Sequence, residues 1–459
     1  MMIRRAIGAL GIVATAGAIA GCNDYFSGPG IDSNPNTPVV ATAAQLFVGF
    51  QGLNFYNLTG DEARLVSLFT QQFAGTGRQW AGYDHYELTE NDFGWDGFYT
   101  GGGLVDLYKV QDLVKADKLY LGVTQVWEAM TVTMIADVWG DVPYTDAGRG
   151  NLQPKLDDQI AVYAKLQTLL DQAITNLNGP GAGPGSADLV YGGDKDLWIR
   201  AAHTLKARIY MHTAEVSNGD YAKALTETAL GIANNSGDFT SYQSASTGEI
   251  NHWFQFRIQR GTDMGAGKYL VDLMKSRDDP RLFDYFSPGS DAGGEIFGSE
   301  PNSEDDGTIA WLGAVRGKPD FRQPILTWDE NILIKAEAQY KTGVAAAAIR
   351  ATLNTYRAAI GMGDVDATLT GPTLFNQIME EKYIAEFQNV EAWNDWKRTC
   401  YPNVTPADGS NYIPARILYP SSERNTNTAI PTPSAQPLRN KNDPKTATDP
   451  LGAVCKGSG

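Results

Sequence analysis

The sequence predicts an all-α protein, built as a scaffold of helix pairs that carries long irregular loops. Three observations predict it. Apolar residues recur at helical spacing in several segments: Leu156, Ile160, Tyr163, Leu166, Leu170, Ile174 and Leu177, then Trp198, Ala202, Leu205 and Ile209, then Tyr221, Leu225, Ala229 and Ile232. Neighbouring segments are joined by turns too short for anything but antiparallel packing, as at Ser217-Asn218-Gly219. Between the pairs lie stretches without periodicity, among them a Gly/Pro loop at 179–185 and a Gly-, Ser- and acid-rich one at 287–307; loops this long are functional or mobile, and a solvated insert is the alternative.

From the N-terminus, Arg4 and Arg5 precede an apolar, small-residue segment that ends in Ile19-Ala20-Gly21-Cys22. That segment is shorter than the roughly 20 residues a spanning helix needs, so 1–21 reads as a signal peptide. A signal ending small-small-Cys resembles a bacterial lipobox, which implies cleavage before Cys22 and acylation of it, with several chains anchoring durably where one binds only marginally. Residues 22–40, rich in Gly, Pro, Asn and Ser, read as a flexible tether, and 41–459 as one α-helical domain.

The formal charge of -16 becomes two units more negative once the two arginines leave with the signal. Such a field disfavours nucleic acid and anionic headgroups, so attachment to a membrane falls to the acyl chains. A hydrophobic content of 42% suits a large globular core. Of three cysteines, Cys22 is assigned to lipid, and Cys400 and Cys455 remain as an even pair in an exported chain. A disulfide between them would close a loop of about 55 residues and add ~3 to 4 kcal/mol in the chain-entropy description; two free thiols are the alternative.

The expected helix pairs are 121–139 with 156–177, 197–216 with 220–234, and 328–341 with 345–360, the last turning at Thr342-Gly343. Ala-Arg-Ile-Tyr and Tyr-Ala-Lys-Ala-Leu in the second pair resemble a degenerate tetratricopeptide unit, and imperfect pairs of this kind fit a helical-repeat scaffold. After the first helix, Asp141 precedes Val142-Pro143-Tyr144, where Pro143 is expected to end the helix and Asp141 to cap or turn.

Enzyme signatures fail. There is no Gly-x-Ser-x-Gly elbow, and 261–269 lacks the glycine spacing and the hydroxyl residue after Lys268 that a phosphate loop requires. Four histidines give no metal site: His203 and His212 fall on opposite sides of one helix, and His85 and His252 are isolated. Acid pairs, Asp84 with Glu87 or Asp137 with Asp141, keep a surface glycosidase as an alternative, but no catalytic residue, metal or cofactor is expected.

Aromatic residues carry the ligand hypothesis, because sugar rings stack on Trp and Tyr while hydroxyls need amide and carboxylate partners. Loop aromatics near glycines are expected to be exposed, and Trp80, Tyr83, Trp253 and Trp311 are the candidate ligand contacts. Trp127, Trp198, Trp393 and Trp396 stand at helical spacing and are expected in the core. The charged run from Glu391 to Arg398 reads as a buried structural helix.

Several motifs together resemble the SusD/RagB family of outer-membrane nutrient-binding lipoproteins, in its SusD-like branch. They are the lipobox at Cys22 with Asn34-Pro35-Asn36, Gln71-Gln72-Phe73, the run from Ala136 to Tyr144, Asp279-Pro280-Arg281-Leu282, Ile334-Lys335-Ala336-Glu337-Ala338, Glu381-Lys382-Tyr383 through Trp396-Lys397-Arg398, Ile413-Pro414-Ala415-Arg416 and Tyr419-Pro420-Ser421-Ser422-Glu423. The resemblance implies four tetratricopeptide-like pairs, no catalysis, and a lid-like association with a SusC-type TonB-dependent outer-membrane transporter that imports oligosaccharides or, in some members, peptides. It carries no ligand site, and Cys400 and Cys455 are not general family features. The expected function is therefore a lipid-anchored surface protein that captures glycan and passes it on; the alternatives are the glycosidase and a helical scaffold that binds only protein.

Overall fold

Thr42 opens the first helix with a reciprocal cap: its side chain accepts from the Gln45 amide, and the Gln45 side chain accepts from the Thr42 N–H at 3.0 Å. The computed structural model describes residues 41–301, 303–407 and 412–444. The signal segment, Cys22, the tether 22–40 and Cys455 of the expected disulfide lie outside the described residues.

The helices are α1 (Ala43–Thr59), α2 (Asp61–Phe69), α3 (Arg78–Asp84), α4 (Asp96–Tyr99), α5 (Leu104–Val114), α6 (Lys118–Trp139), α7 (Gln159–Leu177), α8 (Lys195–Thr213) and α9 (Asp220–Thr228). They continue with α10 (His252–Arg260), α11 (Lys268–Ser276), α12 (Leu282–Tyr285), α13 (Trp328–Lys341), α14 (Ala346–Ala359), α15 (Gly371–Ala385), α16 (Glu391–Thr399) and α17 (Ser421–Thr426). Short side chains cap the pair-forming helices: Asp117 accepts from the Tyr120 amide at 2.9 Å, Asp158 from Ala161 at 3.0 Å, and Thr327 from Glu330 at 3.1 Å.

The three expected pairs form. α6 packs chiefly on α7, α8 on α9 and α13 on α14, and α1 with α5 supplies a fourth. Two boundaries differ from expectation. Gly140, at φ +83°, ends α6 before Pro143 is reached. α9 stops at Thr228 rather than near 234, because Asn331 of α13 donates to the carbonyls of Thr228 and Ile232 at 3.0 and 3.1 Å and pulls the chain out of helical register. Gly231 is needed there: a Cβ would lie 2.4 Å from Asn331 Oδ1.

Three two-stranded antiparallel sheets tie the loops down: β1 (Phe73–Gly75) with β3 (Met264–Ala266), β2 (Phe239–Thr240) with β6 (Pro324–Leu326), and β4 (Phe286–Ser287) with β5 (Trp311–Leu312). The main hydrophobic cluster runs through α1, α5, α6, α7 and α8 and beneath these sheets, with Trp127, Trp198, Trp393 and Trp396 inside it as expected, while a second fills the space between α13, α14 and α15 and a third lies between α8, α9 and α13.

Charged side chains fasten the layers from within. Glu337 of α13 meets Lys382 of α15 at 3.0 Å and Arg398 of α16 at 2.9 Å, while Asp395 joins the same two cations at 2.5 and 2.6 Å. Arg208 of α8 holds Glu330 at 2.5 Å. His212 lies between Asp137 at 3.0 Å and Glu391 at 2.8 Å. Buried pairs of this kind contribute little net stability over an apolar core, yet losing one partner is costly, so they fix which helices meet.

A late segment, 412–444, straps across this frame. Arg416 Nε donates to the Trp139 carbonyl at 2.8 Å, Asn440 Nδ2 to that of Asp137 at 2.6 Å and Asn442 Nδ2 to that of His212 at 3.1 Å. Among the described residues, no helix is long and apolar enough to cross a membrane.

Candidate ligand-binding face

The β1–β3 ladder organises the face where the candidate residues gather. Phe73 of β1 lies 5.1 Å from Trp253, 5.4 Å from Trp311 and 5.2 Å from Phe387, ring centre to ring centre. Trp80 stands edge-on to Phe256 at 5.1 Å and to Tyr83 at 5.4 Å, and Phe256 approaches Trp311 at 6.2 Å. Four residues singled out from distant parts of the sequence thus meet in one aromatic cluster.

Their expected exposure is corrected. Trp80 is 4% exposed, Trp253 fully buried and Trp311 6% exposed, so these rings form the floor under the face and not a stacking surface on it. Trp253 Nε1 donates to the Thr59 carbonyl at 2.7 Å, and the Arg64 guanidinium covers its ring and that of Phe256. The signal misled because the neighbouring glycines permit close packing: a Cβ on Gly75 would lie 2.0 Å from the Trp80 carbonyl oxygen, and one on Gly265 2.3 Å from Ile309. Tyr83 differs from the other three. It is half-buried, and its hydroxyl donates to Asp92 at 2.9 Å; partial burial and that carboxylate push its ionisation well above the ordinary tyrosine range.

At the other end of the ladder a groove of about 790 Å³ opens between Gln71, Lys268, Tyr269, Asp272, Asn403 and Thr405. Gln71, at φ +56°, turns the chain into β1, and its side-chain amide donates to the Thr405 carbonyl at 2.7 Å, closing one wall. Lys268 and Asp272 pair across a turn of α11, with Glu300 3.9 Å from the same ammonium; the Asp272 hydrogen bond raises the Lys268 pKa. Tyr269 packs edge-on against Tyr383 at 5.7 Å, and burial raises its pKa. The groove therefore offers an aromatic edge, amides, a hydroxyl, a carboxylate and an ammonium to one ligand. None of these residues was singled out from the sequence as a ligand contact, and Gln71 appeared only within a family motif. Lys268 appeared only as a failed phosphate-loop residue, and nothing in a single chain says that 403–405 will face it.

The acid pairs considered for hydrolysis are otherwise engaged. Asp137 is buried against His212, Tyr163 and Asn394, while Asp141 accepts from the Gln159 amide at 2.9 Å, a capping role as expected. Asp84 is buried, and Glu87 is exposed. Asp137, His212 and Glu391 are close enough to suggest a metal site, but the carboxylates address opposite ring nitrogens, so no single point faces all three through lone pairs. Those two carboxylates overcome burial and raise His212 to about 9, which keeps the ring protonated and unable to ligate at neutral pH.

A family model described as SusD-like, starch-binding and associating with the outer membrane matches residues 35–420. Among solved structures, a SusD/RagB family protein from Bacteroides thetaiotaomicron superposes with a TM-score of 0.72 at 20% identity, over 90% of this chain and 99% of its own. A chitin-binding SusD homolog from Flavobacterium johnsoniae gives 0.70 at 19%, over 87% and 98%. A SusD homolog from Bacteroides fragilis gives 0.68 at 18%, over 84% and 95%. No curated protein matches the chain.

Proposed function

The chain belongs to the SusD-like family, and from that premise we propose that it is a non-catalytic, surface-exposed lipoprotein that binds an oligosaccharide and delivers it to a SusC-type TonB-dependent transporter in the outer membrane. The groove beside the β1–β3 ladder is the observation that carries the ligand part. It is wide enough for several sugar units and combines an aromatic edge with hydrogen-bonding groups of both kinds. Tyr83, the one sequence candidate with an accessible ring, extends the contact surface past the far end of the ladder, while Trp80, Trp253 and Trp311 support it from below. Chitin binding by the Flavobacterium johnsoniae homolog supports a glycan ligand. Acylated Cys22 and the 22–40 tether would hold this body to the membrane and leave it free to open and close over a transporter.

Titration calorimetry of the mature protein against starch- and chitin-derived oligomers tests the binding. At least one series should bind, and Asp272→Ala and Asn403→Ala, at exposed positions, should weaken it. Binding by neither series, or unchanged affinity in both variants, would overturn the groove assignment. Copurification from detergent-solubilised outer membranes tests the transporter; a preparation without a large barrel protein would refute the partnership. Uptake that survives Cys22→Ala would remove the anchor from the mechanism.

A further inference from the structure

Arg78 sits beyond the Trp80 end of the ladder in a left-handed conformation, φ +49°, which a side chain of this size adopts at a cost. Its side chain is 55% exposed, and its Nε lies 3.6 Å from Asp263, whose carboxylate is 1% exposed. Neither oxygen of Asp263 has a hydrogen-bond partner. The turn is locked to the segment that follows α10: Thr76 Oγ1 donates to the Thr262 carbonyl at 2.9 Å, and the amides of Thr76 and Gly77 donate to that of Asp263 at 2.9 and 3.2 Å. A buried anion therefore holds the inner edge of the guanidinium, and the outer fork has no partner among the described residues.

Two more cations stand on the helix that leads into Asp263, whose amide donates to the Arg260 carbonyl at 2.9 Å. Arg257 and Arg260 occupy i and i+3 on the exposed side of the last turn of α10, and neither makes an ion pair among the described residues. The helix dipole accounts for cations at a C-terminus, but not for Arg78, which belongs to another element. Of the acids near this rim, Glu87 is exposed, and Asp61, Asp92 and Glu62 are occupied or uncharged. Asp61 is tied to Arg64 and Tyr56, and Asp92 accepts from Tyr83 and Thr89. Burial pushes Glu62 up to about 8, so it is protonated at neutral pH. In a chain of net charge -16, two arginines without ion pairs beside a third whose outer fork is unmet, at the edge of an aromatic floor, are an anomaly that a ligand anion would resolve.

We propose that Arg78, backed by Asp263 and joined by Arg257 and Arg260, reads a carboxylate on the bound oligosaccharide, so that the ligand is a uronate-bearing glycan. The fork geometry suits a planar carboxylate, which accepts two parallel N–H bonds from one guanidinium. This rests on the reading that the protein binds oligosaccharide, and it specifies the ligand's charge.

The test is calorimetry of the mature protein at low and moderate salt with four probes: oligogalacturonate, its fully methyl-esterified form, a neutral chitin oligomer and an oligoglutamate peptide. Arg78→Gly suits the left-handed backbone and is made together with Asp263→Asn, so that no buried charge loses its partner, with a urea midpoint measured beside the binding; Arg257→Gln with Arg260→Gln removes the flanking charge. Oligogalacturonate should bind about tenfold or more tighter than its ester, the gap should narrow with salt, and Arg78→Gly should abolish the gap. Equal affinity for acid and ester, or discrimination that survives Arg78→Gly, overturns the inference. Tight binding of oligoglutamate in place of the sugar acid assigns the rim to acidic peptide and overturns it too. Neutral glycan binding without acid preference refutes this inference alone, whereas no binding by any sugar refutes the oligosaccharide reading beneath it.

Discussion

Replacing Glu337 with Gln should destabilise the protein far more than an average substitution does. The side chain is fully buried, and it is the point where α13, α15 and α16 meet, in contact with Lys382 and Arg398. Burial alone would raise its pKa; the two cations overcome this, Arg398 first, and hold it at about 2. Removing one partner of a buried pair leaves uncompensated charge and costs about 3 to 5 kcal/mol. Asp395 still contacts both cations in the variant, at 2.5 and 2.6 Å, which places the expected loss at the lower end, about 3 kcal/mol. Urea unfolding followed by tryptophan fluorescence reads this as a lower midpoint at unchanged slope. The sign with pH is fixed: a carboxylate with a depressed folded pKa stabilises above its unfolded value near 4.5 and loses that contribution as pH falls toward 2. The gap between wild type and Glu337→Gln should therefore be full at pH 7 and narrow below pH 4.5. A loss under about 1 kcal/mol at pH 7, or a gap that widens with acid, would refute the idea that Glu337 balances these cations.

His212 carries the opposite sign. Raised to about 9 by Asp137 and Glu391, it stabilises fully below about 6.5 and loses that contribution as pH rises through 9, so the stability difference between wild type and His212→Gln should shrink between pH 6.5 and 9 in the same urea assay. Trp253→Phe removes the donor to the Thr59 carbonyl and part of a fully buried ring; it should cost about 1 to 3 kcal/mol and leave glycan affinity of the folded protein unchanged in calorimetry. Gly140→Ala places a Cβ at φ +83° and 2.9 Å from Asn440 Oδ1, which should lower the thermal midpoint by at least the cost of one strained residue, about 1 to 3 kcal/mol.

The helix pairs were legible because each is a local device. Spacing of Leu166, Leu170 and Leu177 predicts a buried stripe, and Ser217-Asn218-Gly219 predicts a tight turn, without knowledge of what lies elsewhere. The end of α9 was not legible, since it is set by Asn331, over 100 residues away. The candidate face was illegible for the same reason. The fold brings Trp80, Trp253 and Trp311 together, yet their burial depends on β1 pairing with β3 and on Phe73 and Phe256, which the sequence places far apart. Glycine beside tryptophan signals either an open loop or a backbone drawn close to another; only the contact decides, and here it is the second. The buried run from Glu391 to Arg398 was read correctly as structural, but its role as the meeting point of α6, α8, α13 and α15 is a property of three-dimensional neighbours.

The strap formed by 412–444 sets an order of events. Asn440 and Asn442 satisfy carbonyls of Asp137 and His212, in the helices that hold the buried imidazolium, and Arg416 does the same for Trp139. Those helices are synthesised some two hundred residues or more before their partners exist. Without the strap, the carbonyls of Trp139 and His212 lose these side-chain donors, whereas that of Asp137 keeps Lys397 Nζ at 2.7 Å. A chain cut before residue 440 would therefore lack the donors from Asn440 and Asn442, and limited proteolysis should nick such a truncation sooner than the full chain.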